Sequence, residues 1–148
     1  MNLSKFRKAV FILVYSLDSN KKISYLLLKR KKHWIGWEFP KGKIERFESK
    51  RKTAIRELQE ETGLNPIYLK KFNKEGKYLY PKELKDRPGI IGQTFHLFAA
   101  QTEKRKAKID KKEHSGSKWV SYEEAIKLLT YENQKECLTI IDDWLQKN

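Results

Sequence analysis

Along this chain short apolar runs alternate with polar, turn-rich breaks, and the period of the apolar positions changes from one region to the next. Phe6 to Ser16 and Ser24 to Arg30 are dense in Val, Ile, Leu, Tyr and Phe. The turn-forming group Asp18-Ser19-Asn20-Lys21 separates them, which predicts a β-hairpin. Lys31 to Lys41, carrying Trp34, Gly36, Trp37 and Pro40, reads as a loop. From about Ser49 to Thr62 the apolar residues Ala54, Ile55 and Leu58 recur at helical spacing, with Ser49 as N-cap and Gly63 as terminator. Ile67 to Phe72, Lys77 to Tyr80 and Ile90 to Gln101 read as further strands, punctuated by Pro81 and by Asp86-Arg87-Pro88-Gly89. Glu103 to Lys112 is a charged, mostly basic stretch, expected as a solvated loop, and Lys118 to Val120 is a short strand. Ser121 with Glu124 three residues on is a capping-box signal for a helix to about Leu129. A last helix runs from about Tyr131 to Gln146, with Leu138, Ile141, Trp144 and Leu145 on its buried face.

Strands and helices in this irregular order indicate an α+β fold, a sheet between helices. With 148 residues and no internal repeat, low-complexity tract or linker, the chain is expected to be a single domain, 1–148.

Composition narrows the classes. A hydrophobic fraction of 39% argues for a folded protein. The longest apolar run, Ala9 to Tyr15, is far below the ~20 residues of a membrane span. Lys5, Arg7 and Lys8 ahead of it imitate a signal peptide, but no small-residue cleavage site follows, so the run is expected to be a buried strand. The one cysteine, Cys137, excludes an internal disulfide and makes the reducing cytoplasm the default location. His33, His96 and His114 are scattered without zinc-site spacing. The net charge of +14 would attract polyanions, either nucleic acid or a polyphosphate metabolite. A lysine-rich source composition would give the same number, so charge alone does not choose the substrate. Neither a membrane nor a stable protein partner is expected.

The densest chemistry lies in Gly42 to Leu64, where Glu45, Glu48, Glu57, Glu60 and Glu61 fall in one short span. Glu57, Glu60 and Glu61, at i, i+3 and i+4, crowd one helix face. Like charges at that spacing destabilise a helix, and a divalent cation would offset their repulsion. Carboxylates are hard oxygen ligands suited to Mg²⁺ or Mn²⁺.

Gly42, five residues, Glu48, seven residues, then Arg56-Glu57-Leu58-Gln59-Glu60-Glu61-Thr62-Gly63-Leu64 resembles the signature box of the Nudix hydrolases at every defined position (G-x5-E-x7-R-E-U-x-E-E-x-G-U, U aliphatic). The resemblance implies an α/β/α sandwich with a mixed sheet and a metal-dependent hydrolase of phosphoric anhydrides. It implies Glu57, Glu60 and Glu61 as the carboxylates nearest the metal, with Glu57 and Glu61 the direct ligands and the Gly42 carbonyl joining them. Arg56 would be structural, pairing with Glu48. The general base, a box glutamate or one from a neighbouring loop, stays open. One departure stands out: many members have glycine just before the first box glutamate, where this chain has Arg46 and Phe47.

Trp37-Glu38-Phe39-Pro40-Lys41-Gly42 is similar to the diadenosine polyphosphate hydrolase branch, as is the stretch from Trp119 to Asn133. That likeness implies Lys41 as a phosphate contact and Tyr131 as a base-stacking residue, with core or helix-cap packing as the equal alternative for Tyr131. Lys77 to Lys82 and Ile91 to Phe95 instead resemble RNA 5′-pyrophosphohydrolases. Tyr80 joins the candidate substrate contacts. His96 is a candidate if it faces the cleft, although a sheet histidine is the plainer reading, and Trp34 and Trp37 are either base platforms or loop packing. The expected function is asymmetric cleavage of diadenosine tetraphosphate or a related nucleoside polyphosphate. The alternatives are pyrophosphate removal from RNA 5′ ends and a catalytically silent nucleotide-binding regulatory domain.

Overall fold

The computed structural model describes residues 5–148. The hairpin consists of β1 (Phe6–Leu17) and β2 (Ile23–Arg30), antiparallel with Tyr15 opposite Tyr25. Asp18 builds its turn: the carboxylate accepts the N–H groups of Asn20 and Lys22, each at 2.8 Å.

Away from the turn the two strands diverge, and the stretch expected to be a plain loop fills the gap. Here β3 (Gly36–Glu38) pairs antiparallel with β2, and β4 (Lys41–Lys43) pairs antiparallel with β1, Gly42 opposite Val10. Between them the Pro40 carbonyl accepts the N–H of Ile12 at 2.8 Å. Three-residue strands carry too little alternation to be read, and these exist because β1 and β2 leave open edges there.

On the other side β1 pairs parallel with β6 (Gly92–Gln101), which pairs antiparallel with β5 (Tyr68–Leu79). The two strands expected at 67–72 and 77–80 are one strand, irregular in register between Lys71 and Glu75. A bulge of that kind interrupts the side-chain period without ending the ladder. The last strand, β7 (His114–Val120), pairs with β2 and is longer than expected. The order β3-β2-β1-β6-β5, with β4 on β1 and β7 on β2, makes a mixed sheet.

Both faces are covered. Val10, Ile12, Val14, Leu26 and Leu28 pack with Ala54 and Leu58 of α1 (Lys50–Thr62). Phe11, Leu13, Tyr15, Tyr25 and Leu27 pack on the opposite face. Their partners are Ala125 of α2 (Tyr122–Leu128) and Cys137, Leu138 and Ile141 of α3 (Glu132–Gln146). Strands buried on both faces read as unbroken apolar runs, which is why β1 has no alternation in sequence.

The caps follow the side chains. Ser49 Oγ accepts the N–H of Lys52, Gly63 ends α1 at φ 72°, and Ser121 Oγ accepts the N–H of Glu124. The apolar stripe of α1 needs one correction: Ile55 is half-exposed, while Thr53 is buried with its hydroxyl donating to Glu48 at 2.7 Å. Residues 103–112 carry no helix or strand, yet they are anchored. Ala107, one of them, is buried in the α1-side core, and Lys108 donates its N–H to the Thr62 carbonyl at 2.8 Å. Among the described residues no helix is long and apolar enough to cross a membrane.

Candidate active site

Three elements converge on one acidic pocket: α1, the β4 edge, and the loop before β7. Gly42, Glu57, Glu60 and Glu61 line it, opposite Asp110 and Glu113. Glu57 lies directly over Gly42. A methyl group at that glycine would fall 2.0 Å from the Glu57 carboxyl carbon, so the missing side chain is what lets the carboxylate reach the β4 backbone. Glu61 is buried and accepts the N–H of Lys41 at 3.1 Å, while Glu60 stands further out in solvent.

Arg56 ties the box together. It binds Glu48 through two hydrogen bonds, Nε to Oε2 at 2.8 Å and Nη2 to Oε1 at 2.9 Å. Its remaining N–H groups reach Glu57 at 2.8 Å, Glu60 at 3.2 Å and the Lys43 carbonyl at 3.0 Å. These bonds, with the Thr53 hydroxyl, hold the Glu48 carboxyl down at about 2. Glu57 behaves oppositely. Burial lifts it to about 6 against the pull of Arg56, with Glu60 and Glu113 adding to the rise. Glu61 is raised well above the carboxylate range, first by burial and then by Glu38, Glu113 and Glu57.

A second, largely buried cluster backs this pocket. Glu38 receives Arg30 at 3.1 Å and His114 Nε2 at 2.7 Å, and ion-pairs with Lys41 Nζ at 3.3 Å. Burial alone would raise the Glu38 carboxyl, but Lys41, His114 and Arg30 outweigh it and set it at about 2. Glu38 also raises the Lys41 ammonium against the opposing effect of burial.

Carboxylates that burial pushes toward the neutral form, crowded on one another, are the donor set that a hard divalent cation completes. Glu61, Glu113 and His114 each offer a ligand atom within 4.8 Å of the others. In the same cluster His114 Nδ1 is buried with no hydrogen-bond partner among the described residues, so the protein alone leaves polar demand unmet. The residues present therefore fit a divalent metal ion.

Next to the acids lies a cleft of about 360 Å³. Trp34 and Tyr131 meet edge to face in its wall with centroids 4.8 Å apart, and Tyr78 and Tyr80 line it too. The Tyr80 hydroxyl donates to Gln93 at 3.1 Å and accepts Arg87 Nη1 at 2.8 Å. Arg30, Lys41 and Arg87 line both the cleft and the acidic pocket, so the two spaces adjoin through a cationic wall.

Of the substrate contacts expected from sequence, Lys41, Tyr80 and Tyr131 lie in this cleft and two do not. Trp37 packs against the core beneath α2 and α3, and its backbone N–H donates to the Thr130 hydroxyl, because β3 turns it inward. His96 faces the α1 side of the sheet, where it pairs with Glu75 at 3.3 Å, because alternation along β6 gives the other face to Phe95 and Leu97. Sequence reading missed Arg7, Arg30, Arg87, Gln93 and Glu113. An arginine closing an apolar run was a signal for Arg30. Glu113, an acid in a basic stretch, offered none, because only folding brings it opposite Glu61.

The NUDIX domain family matches residues 5–139. An RNA pyrophosphohydrolase of a Nitratiruptor species is 30% identical over 137 residues, 88% of each chain. An asymmetrical bis(5′-nucleosyl)-tetraphosphatase of Rattus norvegicus is 31% identical over 123 residues, covering 80% of this chain and 78% of that one. A C. elegans Ap4A hydrolase binary complex superposes with a TM-score of 0.71 at 25% identity, over 96% of this chain and 99% of that one. Signature box, mixed sheet between helices, and these likenesses agree: the chain belongs to the Nudix family and is a hydrolase of the pyrophosphohydrolase kind.

Proposed function

We propose that the protein cleaves a nucleoside polyphosphate, with diadenosine tetraphosphate or a related dinucleoside polyphosphate as the preferred substrate. The observation that carries this reading is the aromatic cleft adjoining the acidic pocket through Arg30, Lys41 and Arg87. A nucleobase stacked against the face that Trp34 or Tyr131 turns to the cleft would lay its phosphate chain along those cations and its scissile anhydride among the acids. Glu57 and Glu61, with Glu60 and the Gly42 carbonyl beside them, would hold Mg²⁺ or Mn²⁺. A divalent ion there lowers the pKa of water and neutralises phosphate oxygens. Arg56 keeps Glu48, Glu57 and Glu60 in place, and Lys41 orients Glu61 through its N–H. Glu113, on the facing wall and partly open to solvent, is our candidate general base. The lone, buried Cys137 suits a reducing cytoplasm.

RNA 5′-end hydrolysis is the second reading. It is favoured by the likeness to an RNA pyrophosphohydrolase over 88% of both chains, and by the +14 charge. The deciding experiment offers diadenosine tetraphosphate and 5′-triphosphorylated RNA together, with Mg²⁺, and separates the products by chromatography. ATP plus AMP at the higher catalytic efficiency supports the first reading. Favoured release of pyrophosphate or phosphate from RNA replaces it with the second. Binding of the dinucleotide without turnover would reduce the protein to a nucleotide-binding domain.

A further inference from the structure

On the α1 side of the sheet a second groove, of about 530 Å³, is lined by Lys8, Lys50, Lys77, Thr94 and His96, with Ile44 beside them. Among the described residues Glu75 is the one acid in that lining, and it is paired with His96. Consecutive residues of the same strands serve the two sites. Arg7 and Gln93 line the acidic pocket, whereas Lys8 and Thr94 line the groove, because neighbouring side chains on a strand point to opposite faces. The groove and the acidic pocket share no lining residue.

Phe47 sits in the turn between Ile44 and Lys50, both groove residues. The residue is 95% exposed, and its backbone takes φ 66°, the left-handed region that a bulky side chain rarely adopts. Folding gains nothing from either feature: an apolar ring is held in water on a strained backbone that glycine would adopt freely. The Arg46 guanidinium lies 5.0 Å from the ring centroid. A rigid exposed aromatic with a stacked guanidinium, beside a row of lysines, offers flat faces for bases and point charges for a phosphate backbone.

We propose that this groove and the Arg46–Phe47 turn dock single-stranded nucleic acid at a surface separate from the acidic pocket. Lysines supply the affinity for phosphates, and the ring requires unstacked bases, which a duplex does not present. The proposal holds whether the acidic pocket cleaves dinucleotides or RNA ends.

The test is fluorescence anisotropy of the whole protein with a short 5′-hydroxyl oligouridylate, in EDTA, so that neither a terminal phosphate nor catalysis contributes. Binding should weaken with salt, with a log–log slope of about −2 to −3 for three or four phosphate contacts. Phe47→Gly should weaken binding about 5- to 150-fold, the range for one lost base stack. Its melting temperature should hold or rise, because glycine relieves the backbone, and Phe47→Trp should restore binding. Lys8→Glu with Lys50→Glu should flatten the salt slope by about 1.4. Absence of binding by the unsubstituted protein, or unchanged affinity in Phe47→Gly, overturns the proposal. So does a concentration-dependent dimer that Phe47→Gly abolishes, since the ring would then serve a second copy of the chain.

Discussion

Gly42→Ala tests the contact on which the acidic pocket is built. The new methyl would lie 2.0 Å from Glu57 Cδ, 2.2 Å from Cγ and 2.4 Å from Oε1. Carbon atoms rest at about 3.5–4.0 Å, so the carboxylate must retreat by roughly 1.5 Å. Gly42 has no positive φ, so alanine adds no backbone strain, and the atoms struck are the far end of a flexible side chain. The fold should therefore survive at a cost of about 1–3 kcal/mol, the usual range for overpacking. Activity should not. A misplacement of about 1 Å in a catalytic group costs on the order of a hundredfold, so kcat on diadenosine tetraphosphate with saturating Mg²⁺ should fall about a hundredfold. Gly116→Ala is the control, because nothing lies within 4 Å of the added methyl. Circular dichroism and thermal melting establish folding, and product chromatography gives the rate. A folded Gly42→Ala enzyme at full speed would refute the placement of Glu57 at the reaction centre.

Other outcomes follow from the same geometry. Glu57→Gln and Glu61→Gln should each lower turnover by a hundredfold or more, and chelation with EDTA should abolish it until Mg²⁺ or Mn²⁺ returns; full activity in both variants would end the metal reading. Arg56→Lys keeps the charge but loses the paired bonds to Glu48, so it should lower kcat at least tenfold, with melting temperature recorded in parallel. Trp34→Ala and Tyr131→Ala should raise KM for the dinucleotide by about 5- to 150-fold with a smaller change in kcat, the range for one lost base stack; an unchanged KM would remove the base from that cleft. The Glu38 carboxyl is set at about 2, below its unfolded value, so its stabilisation is complete above about pH 4.5 and is lost as pH falls toward 2. Acid unfolding of Glu38→Gln should show a flatter limb in that window, by on the order of 3 kcal/mol, and an unchanged limb would deny the cluster that role.

The box was legible because its spacing is local. Glu57, Glu60 and Glu61 share one turn of one helix, and Ser49 and Gly63 mark its ends, so chain order alone places them together. The same holds for the hairpin, whose turn chemistry sits between two apolar runs. It fails for β3 and β4, which are too short to show a period, and for the Lys71–Glu75 irregularity, where β5 reads as two strands. Ile55 fitted a helical stripe, yet it is exposed, and Thr53 is buried instead with its hydroxyl bonded to Glu48.

Aromatic residues divided in an instructive way. Trp34 and Trp37, three residues apart in one stretch, were equivalent as sequence. In the fold, Trp37 turns with β3 to pack against the core, and Trp34 meets Tyr131 from the distant start of α3. For His96 the sequence favoured a plain sheet position over the cleft, and pairing of β6 between β1 and β5 assigned its face.

Helix, caps, acid set and enzyme class thus reside in short-range order, where covalent spacing fixes the distance between side chains. The cationic wall of Arg30, Lys41 and Arg87, the buried Glu38–His114 pair and the approach of Glu113 to Glu61 join residues up to 76 positions apart. No periodicity encodes such meetings. They arise when β1 and β2 splay, β4 inserts, and packing on both faces of the sheet leaves one place where all of these side chains point.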